Sequence, residues 1–349
     1  MRIKLHYLWL PAAWILLFSS CHWRRDDAGN PPVKFHPGHY VAAGPSYDLP
    51  GIRYLDDPAV RGVNKRYYWR LLEPERGVYD FSSIEEDLRY LAAHEKQLVV
   101  FLVDRSFWIK GAMPDYLSGY EIDYGEGGFC PVRWDPVVVD RFLALGKALG
   151  ERFDADPNFE GIAIQETSLD LAEEDYEKFN YTTDGYRDAL ITLLTGLKHD
   201  LPRSHVFWYQ NFFDNEEGNH IEQIAEAIKD SGIFMGGPDI LPYNRWYNKK
   251  SYPLYDEFKN SITLFCSAQD DSYRHHKNDI RVALEEPVPA EGYLTMEEIF
   301  LFARDSLHVR YLFWNYYYEG TEVGERSYED AIRVIRKYPI FNDSTGPFL

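Results

Sequence analysis

The chain has 349 residues, 45% of them hydrophobic and 16% aromatic, and carries a formal net charge of −19 from 37 basic and 56 acidic side chains. That length accommodates one large domain or two small ones. The acidic balance disfavours nucleic acids and anionic membrane surfaces as partners, since both are bound through basic patches, and it is compatible with a neutral ligand.

Residues 1–20 read as a targeting segment outside the fold. Arg2 and Lys4 precede an apolar stretch from Tyr7 to Phe18, and Ser19 and Ser20 stand before Cys21. The stretch is short for a transmembrane helix. It resembles a bacterial lipoprotein signal, although Phe18 replaces the Leu usual three residues before the cysteine. The resemblance implies lipidation of Cys21, export, and attachment to a bacterial membrane through the lipid anchor alone. Residues 21–37 read as a polar, Pro-containing tether, and 38–349 as one folded domain. Cys130 and Cys266 remain, without CxxC spacing, and read as free buried thiols.

Past the tether, short apolar runs alternate with amphipathic ones. Strand candidates are 38–47, 62–69, 97–108, 159–166, 205–212, 232–239, 261–270 and 309–318. Helical patterns follow several of them. "SSIEEDLRYLAAHEKQ" opens on Ser82 or Ser83 with an acid three residues on, a capping pattern. "DPVVVDRFLALGKALGERF" places Pro136 at a helix start. "TTDGYRDALITLLTGLKHDL", "NHIEQIAEAIKDS" and "TMEEIFLFARDSL" repeat the theme. Such alternation implies a parallel sheet covered by helices, and eight units in this length fit a closed (β/α)8 TIM barrel of the α/β class, in a single domain. No GxGxxG follows the first strand and there is no P-loop, so an open nucleotide-binding sheet is the weaker architecture and no cofactor is expected. His275 and His276 are adjacent but lack a third ligand at recognisable spacing, so no metal is expected. No G-x-S-x-G elbow supports serine chemistry.

In this fold the active site lies at the carboxyl ends of the strands. Those ends carry Arg66 and Trp69; Asp104, Arg105 and Trp108; Gln165 and Glu166; Gln210 and Asn211; Asp239; Gln269 and Asp270; and Trp314 and Asn315. Carboxylates and amides bond hydroxyls, and aromatic faces stack on sugar rings, so the set suits an uncharged polyhydroxylated ligand. Each has a structural alternative: Asp104 and Arg105 as an ion pair, Trp314 as core, Asp239 as a turn residue after Gly-Gly-Pro.

The stretch "YYWRLLEPERGVYDFSSIEEDL" (67–88) resembles the segment after the second strand of clan A glycoside hydrolases, the barrel enzymes that include cellulases and β-galactosidases. Trp69, Glu73, Pro74, Gly77, Tyr79, Asp80 and Phe81 match, and the strand order is similar over roughly 40–335. The resemblance implies hydrolysis of a polysaccharide or oligosaccharide. In that clan the fourth strand ends in Asn-Glu, the Glu being the general acid/base. Here the pair is Gln165-Glu166, which makes Glu166 the proton donor and Gln165 a hydroxyl-binding amide. Arg66, Trp69, Asp104, Trp108, Asn211, Gln269 and Trp314 are the further expected substrate contacts. Retaining members end the seventh strand on a Glu nucleophile, whereas this chain has Gln269 near that place, followed by Asp270 and Asp271. Three readings stand: Asp270 as nucleophile; Asp270, Asp239 or Asp104 as the base of an inverting reaction; or a non-catalytic glycan-binding barrel of a surface-polysaccharide system. Glu285 and Glu286 read as surface charges.

Overall fold

Eight strands form the barrel: β1 (Gly38–Ala43), β2 (Val60–Tyr68), β3 (Gln97–Val103), β4 (Phe159–Ile164), β5 (His205–Tyr209), β6 (Ile233–Gly237), β7 (Leu264–Ala268) and β8 (Tyr311–Asn315). Each pairs in parallel with its neighbours in sequence, and β1 closes on β8. The structure, a computed structural model, describes residues 32–106, 111–123, 128–213, 218–275, 292–316, 322–342 and 346–349. One compact unit spans Val33–Leu349. The long helices lie outside the strands in order: α1 (Ser82–Ala93), α2 (Pro136–Phe153), α3 (Thr183–Asp200), α4 (His220–Ile228), α5 (Tyr252–Phe258), α6 (Met296–Asp305) and α7 (Glu322–Lys337). This is the TIM barrel expected from the sequence, with every strand candidate overlapping an observed strand.

Local chemistry explains most boundaries. Asp135 caps α2 through the Val137 N–H at 2.8 Å, with Pro136 in the first turn. The Ser82/Ser83 capping pattern is not realised: Phe81 occupies the N-cap and the Asp80 carboxylate takes the Ser82 N–H at 3.0 Å. An antiparallel hairpin, Glu121–Asp123 with Phe129–Pro131, lies between β3 and α2. Its strands of three residues are too short to leave an alternation signal in the sequence.

The strands are buried on both faces, which is why their runs do not alternate. Tyr40, Phe101, Phe207, Phe234, Tyr311 and Phe313 fill the lumen with rings. Leu98, Val100 and Leu102 of β3 face the other way, into the larger core beneath the helices. Cys130 and Cys266 are both fully buried. Among the described residues no helix is long and apolar enough to cross a membrane.

The amino-terminal end of the barrel is closed by the segment before β1. The β3–β4 register shifts between Leu98 and Val99, which pair with Phe159 and Gly161, so Glu160 is an extra residue on β4. Glu160 is fully buried and accepts from His36 Nδ1 (2.6 Å), the His36 N–H (2.8 Å) and the Tyr311 hydroxyl (2.6 Å). Phe35 makes edge contacts with Phe234 and Tyr311, and Lys34 donates to the Asp154 and Asp156 carbonyls. Lys34, Phe35 and His36, read from sequence as tether, are therefore fastened to the barrel.

Burial alone would raise the Glu160 carboxyl, but the hydrogen bond and charge of His36, with help from His205 and Tyr311, bring it down to about 2. Burial would also lower the His36 imidazole, yet Glu160 holds it above its usual 6.5. The Glu160 contribution to stability is present above its ordinary 4.5 and is lost as pH falls toward 2. The His36 contribution is complete below 6.5 and is lost as pH rises through the raised value. Glu160→Ala, which strands the buried partners, is expected to cost about 3–5 kcal/mol in urea unfolding near neutral pH. It should also flatten the acid side of the stability profile. A variant whose stability falls with acid as steeply as the wild type would contradict this account.

Candidate active site

The carboxyl end of β4 is organised around Glu166. Arg105, just past β3, has a fully buried side chain and donates from Nη2 to Glu166 Oε1 at 2.7 Å and from Nη1 to the Ser168 carbonyl. Asn211, just past β5, donates from Nδ2 to Glu166 Oε2 at 2.7 Å. Its Oδ1 accepts from the Ser168 N–H (2.9 Å), the Phe212 N–H (2.8 Å) and the Thr167 hydroxyl (3.1 Å). The Glu166 backbone is held too. Arg133 donates from Nη1 to the Glu166 carbonyl at 2.7 Å while it grips Asp104 at 2.7 and 2.6 Å, a bidentate pair. Gln165 Oε1 accepts the Asp104 and Arg105 N–H groups at 2.9 and 2.8 Å, tying β3 to β4. The Glu166 side chain nonetheless remains 25% exposed.

Asp239 follows β6 at the same end. It is half-buried, and the Tyr247 hydroxyl donates to its Oδ2 at 3.2 Å. Desolvation pushes the Asp239 carboxyl well above the usual carboxylate range. The charges of Asp271, Glu166 and Asp270 act in the same direction, and the Tyr247 bond opposes them. Asp271 is also raised, by desolvation and then by Asp270; it sits at the open rim, where solvent screens the effect. Asp270 pairs with Arg274. Among the described residues no group of three His, Cys, Asp or Glu side chains is placed to hold a metal ion.

The structure sorts the expected contacts. Glu166, Asp239, Asp270 and Asp271 share the carboxyl end of the strands, close enough for the charges of the other three to act on Asp239. Arg66 is half-buried with its guanidinium 5.4 Å from the Phe101 ring centre. Gln269 is half-buried at the end of β7, at the N-cap of the short helix Asp270–Tyr273, where its carbonyl accepts the Tyr273 N–H at 3.1 Å and its side chain makes no capping bond. Other positions are corrected. Trp69 is fully buried, donates to Glu73 at 2.9 Å and packs edge-on to Phe142, so its face meets core and not ligand. Glu73 also accepts from the Gly77 N–H at 2.8 Å, so the matched motif builds the loop after β2. Trp314 is fully buried and donates to His39 Nδ1 at 3.0 Å, because its neighbours Tyr311 and Phe313 take the lumen-facing positions. Asp104 is committed to Arg133, the Gln165 oxygen to main chain, and Asn211 to Glu166, so these three position the site instead of facing a ligand. Asp104 and Arg105 do not pair with each other; each takes a different partner. Trp108, His276, Glu285, Glu286 and Cys21 lie outside the described residues.

Sequence reasoning missed Arg133 and Tyr247. Both come from segments beyond the strand ends, and neither carries a local motif.

No protein-family model and no curated protein matches the sequence. Solved structures do match the fold. A GH5_18 protein from Streptomyces cattleya, solved in complex with GlcNAc, superposes with a TM-score of 0.54 at 13% identity, covering 90% of this chain and 82% of that one. The cold-adapted β-galactosidase from Rahnella sp. R3 gives 0.53 at 12%, covering 87% and 56%. The β-galactosidase from the psychrophilic Marinomonas ef1 gives 0.51 at 10%, covering 88% and 61%. The chain thus spans little more than half the length of the two β-galactosidases. At such identities the likeness is one of fold: the chain is a (β/α)8 barrel, as these solved structures are.

Proposed function

We propose that the protein hydrolyses glycosidic bonds of a neutral polysaccharide or oligosaccharide, with Asp239 as proton donor and Glu166 as the carboxylate that attacks the anomeric carbon or activates water. The observation that carries this is the unequal treatment of two neighbouring carboxyl groups. Both oxygens of Glu166 accept hydrogen bonds, one from a buried guanidinium. Desolvation instead raises the Asp239 carboxyl above its usual range, and the charges of Asp271, Glu166 and Asp270 act the same way. A raised carboxyl near one whose oxygens are held by hydrogen-bond donors suits the acid and base roles of glycoside hydrolysis. The sequence resemblance gave Glu166 the acid role; the donors on both Glu166 oxygens and the raised Asp239 carboxyl favour the reverse. The carboxylates of Glu166, Asp270 and Asp271 would disfavour uronate or sulfated sugars, which supports a neutral substrate. Purified protein incubated with a panel of neutral polysaccharides should release reducing ends from at least one.

A second reading, glycan binding without turnover, is favoured by Gln269, an amide where retaining clan members carry a carboxylate. Saturable binding in calorimetry with no reducing ends released from the same polysaccharide would select it.

We also propose that the protein works outside the cytoplasm, lipid-anchored through Cys21, on the strength of the apolar segment before that residue. Cys21→Ser is expected to move the protein out of the membrane fraction. Equal membrane recovery of both forms would refute the anchor.

A further inference from the structure

With Trp69 and Trp314 sealed in the core, the site needs its aromatic surface from elsewhere, and the loop after β6 supplies it. Tyr243 is 47% exposed and Trp246 45% exposed. Both are held in place. Asn244 Oδ1 accepts the Trp246 and Tyr247 N–H groups at 3.0 and 3.1 Å, capping the helix Arg245–Lys250. Asn248 donates back to the Pro242 and Asn244 carbonyls at 2.7 and 2.9 Å. Tyr243 donates its N–H to His275 Nε2 at 3.0 Å, and its ring stacks on that imidazole at 5.9 Å. The Trp246 indole leans on Phe212 at 5.8 Å.

These supports connect the rings to the catalytic carboxyls. Phe212 directly follows Asn211, which binds Glu166. Tyr247, next to Trp246, binds Asp239 and packs on Phe212 at 5.3 Å. The exposed rings therefore share a frame with both reacting groups. An indole and a phenol held rigid while half-exposed present apolar faces at little conformational cost. The face of a pyranose ring, with its C–H groups on one side, complements them.

We infer that Trp246, seconded by Tyr243, is the stacking platform of a sugar subsite on the β6 side of the cleft, which holds a pyranose unit beyond the one whose anomeric carbon reacts. The inference rests on the glycan reading of the site. It predicts dependence on chain length. Trp246→Ala should lower kcat/KM on a tetrasaccharide of the neutral glycan that the panel shows to be cleaved by about tenfold or more, mainly through KM, and should lower it much less on the 4-nitrophenyl glycoside of the same sugar. Trp246→Phe should recover most of the loss. In a Glu166→Gln background, the tetrasaccharide should quench tryptophan fluorescence, and that quenching should disappear with Trp246→Phe. Equal losses on the two substrates, or full tetrasaccharide affinity in Trp246→Ala with Tyr243→Ala, would overturn the platform while leaving the glycosidase reading intact. Failure of the wild type to cleave or bind any glycan of the panel would overturn both.

Discussion

Glu166→Gln is expected to lower kcat on natural glycans by at least 10²–10⁴, roughly the range for loss of a positioned proton-transfer group. The residue's surroundings make the prediction specific. A glutamine has one oxygen, so it can accept from either Arg105 Nη2 or Asn211 Nδ2 but not from both. One buried donor then loses its partner, which is expected to cost about 1–3 kcal/mol of stability. Turnover should fall far more than folding, and ligand affinity should change little. Because Glu166 is assigned the attacking or water-activating role, a good leaving group should not rescue the variant: 4-nitrophenyl glycosides should be nearly as slow as natural substrates. Small anions such as azide should restore part of the activity of Glu166→Ala by occupying the vacated space. The opposite pattern, near-normal turnover of nitrophenyl glycosides by Glu166→Gln, would return the proton-donor role to Glu166. Undiminished hydrolysis of all substrates would remove it from the mechanism.

The barrel was legible in the sequence because its strands are buried on both faces. "QLVVFLV" and "FEGIAI" leave apolar runs that amphipathic helices do not. The hairpin after β3 and the cap of α1 were not legible. The first has three-residue strands, and in the second two acceptors, Asp80 and Ser82, competed within a few residues. In the site, Glu166 could be found because a strand end is a fixed address. The fate of the residues around it could not, since a strand end does not say whether an amide turns toward a ligand or toward its own main chain. Gln165 and Asn211 both turned inward, as did Trp69 and Trp314. Arg133 and Tyr247 are invisible to strand-end reasoning altogether, because one reaches the site from the turn before α2 and the other from the short helix Arg245–Lys250, both placed by the folded chain alone.

Asp239→Asn should separate the acid from the rest of the site. If Asp239 gives its proton to the leaving oxygen, the variant should lose roughly 10²–10⁴ in kcat on natural glycans and much less on 4-nitrophenyl glycosides, whose leaving group departs without protonation. The pH profile adds a second test. Desolvation and the neighbouring charges of Asp271, Glu166 and Asp270 keep Asp239 protonated well above the usual range. Wild-type activity should therefore fall on the alkaline side as Asp239 ionises, and the variant should lack that limb. Stability should move the other way. A carboxyl whose folded-state value is raised stabilises the fold least at high pH: its contribution is complete below its ordinary 3.8 and is lost as pH rises through the raised value. An uncharged asparagine escapes that loss and can still accept from Tyr247. Asp239→Asn should thus melt at a higher temperature than the wild type at neutral and alkaline pH, with the difference shrinking in acid. Lost turnover with a gain in stability is what a strained catalytic acid leaves behind when it is neutralised. A variant that is slower and also less stable at alkaline pH would instead make Asp239 a structural partner of Tyr247, and would send the search for the acid to Asp271.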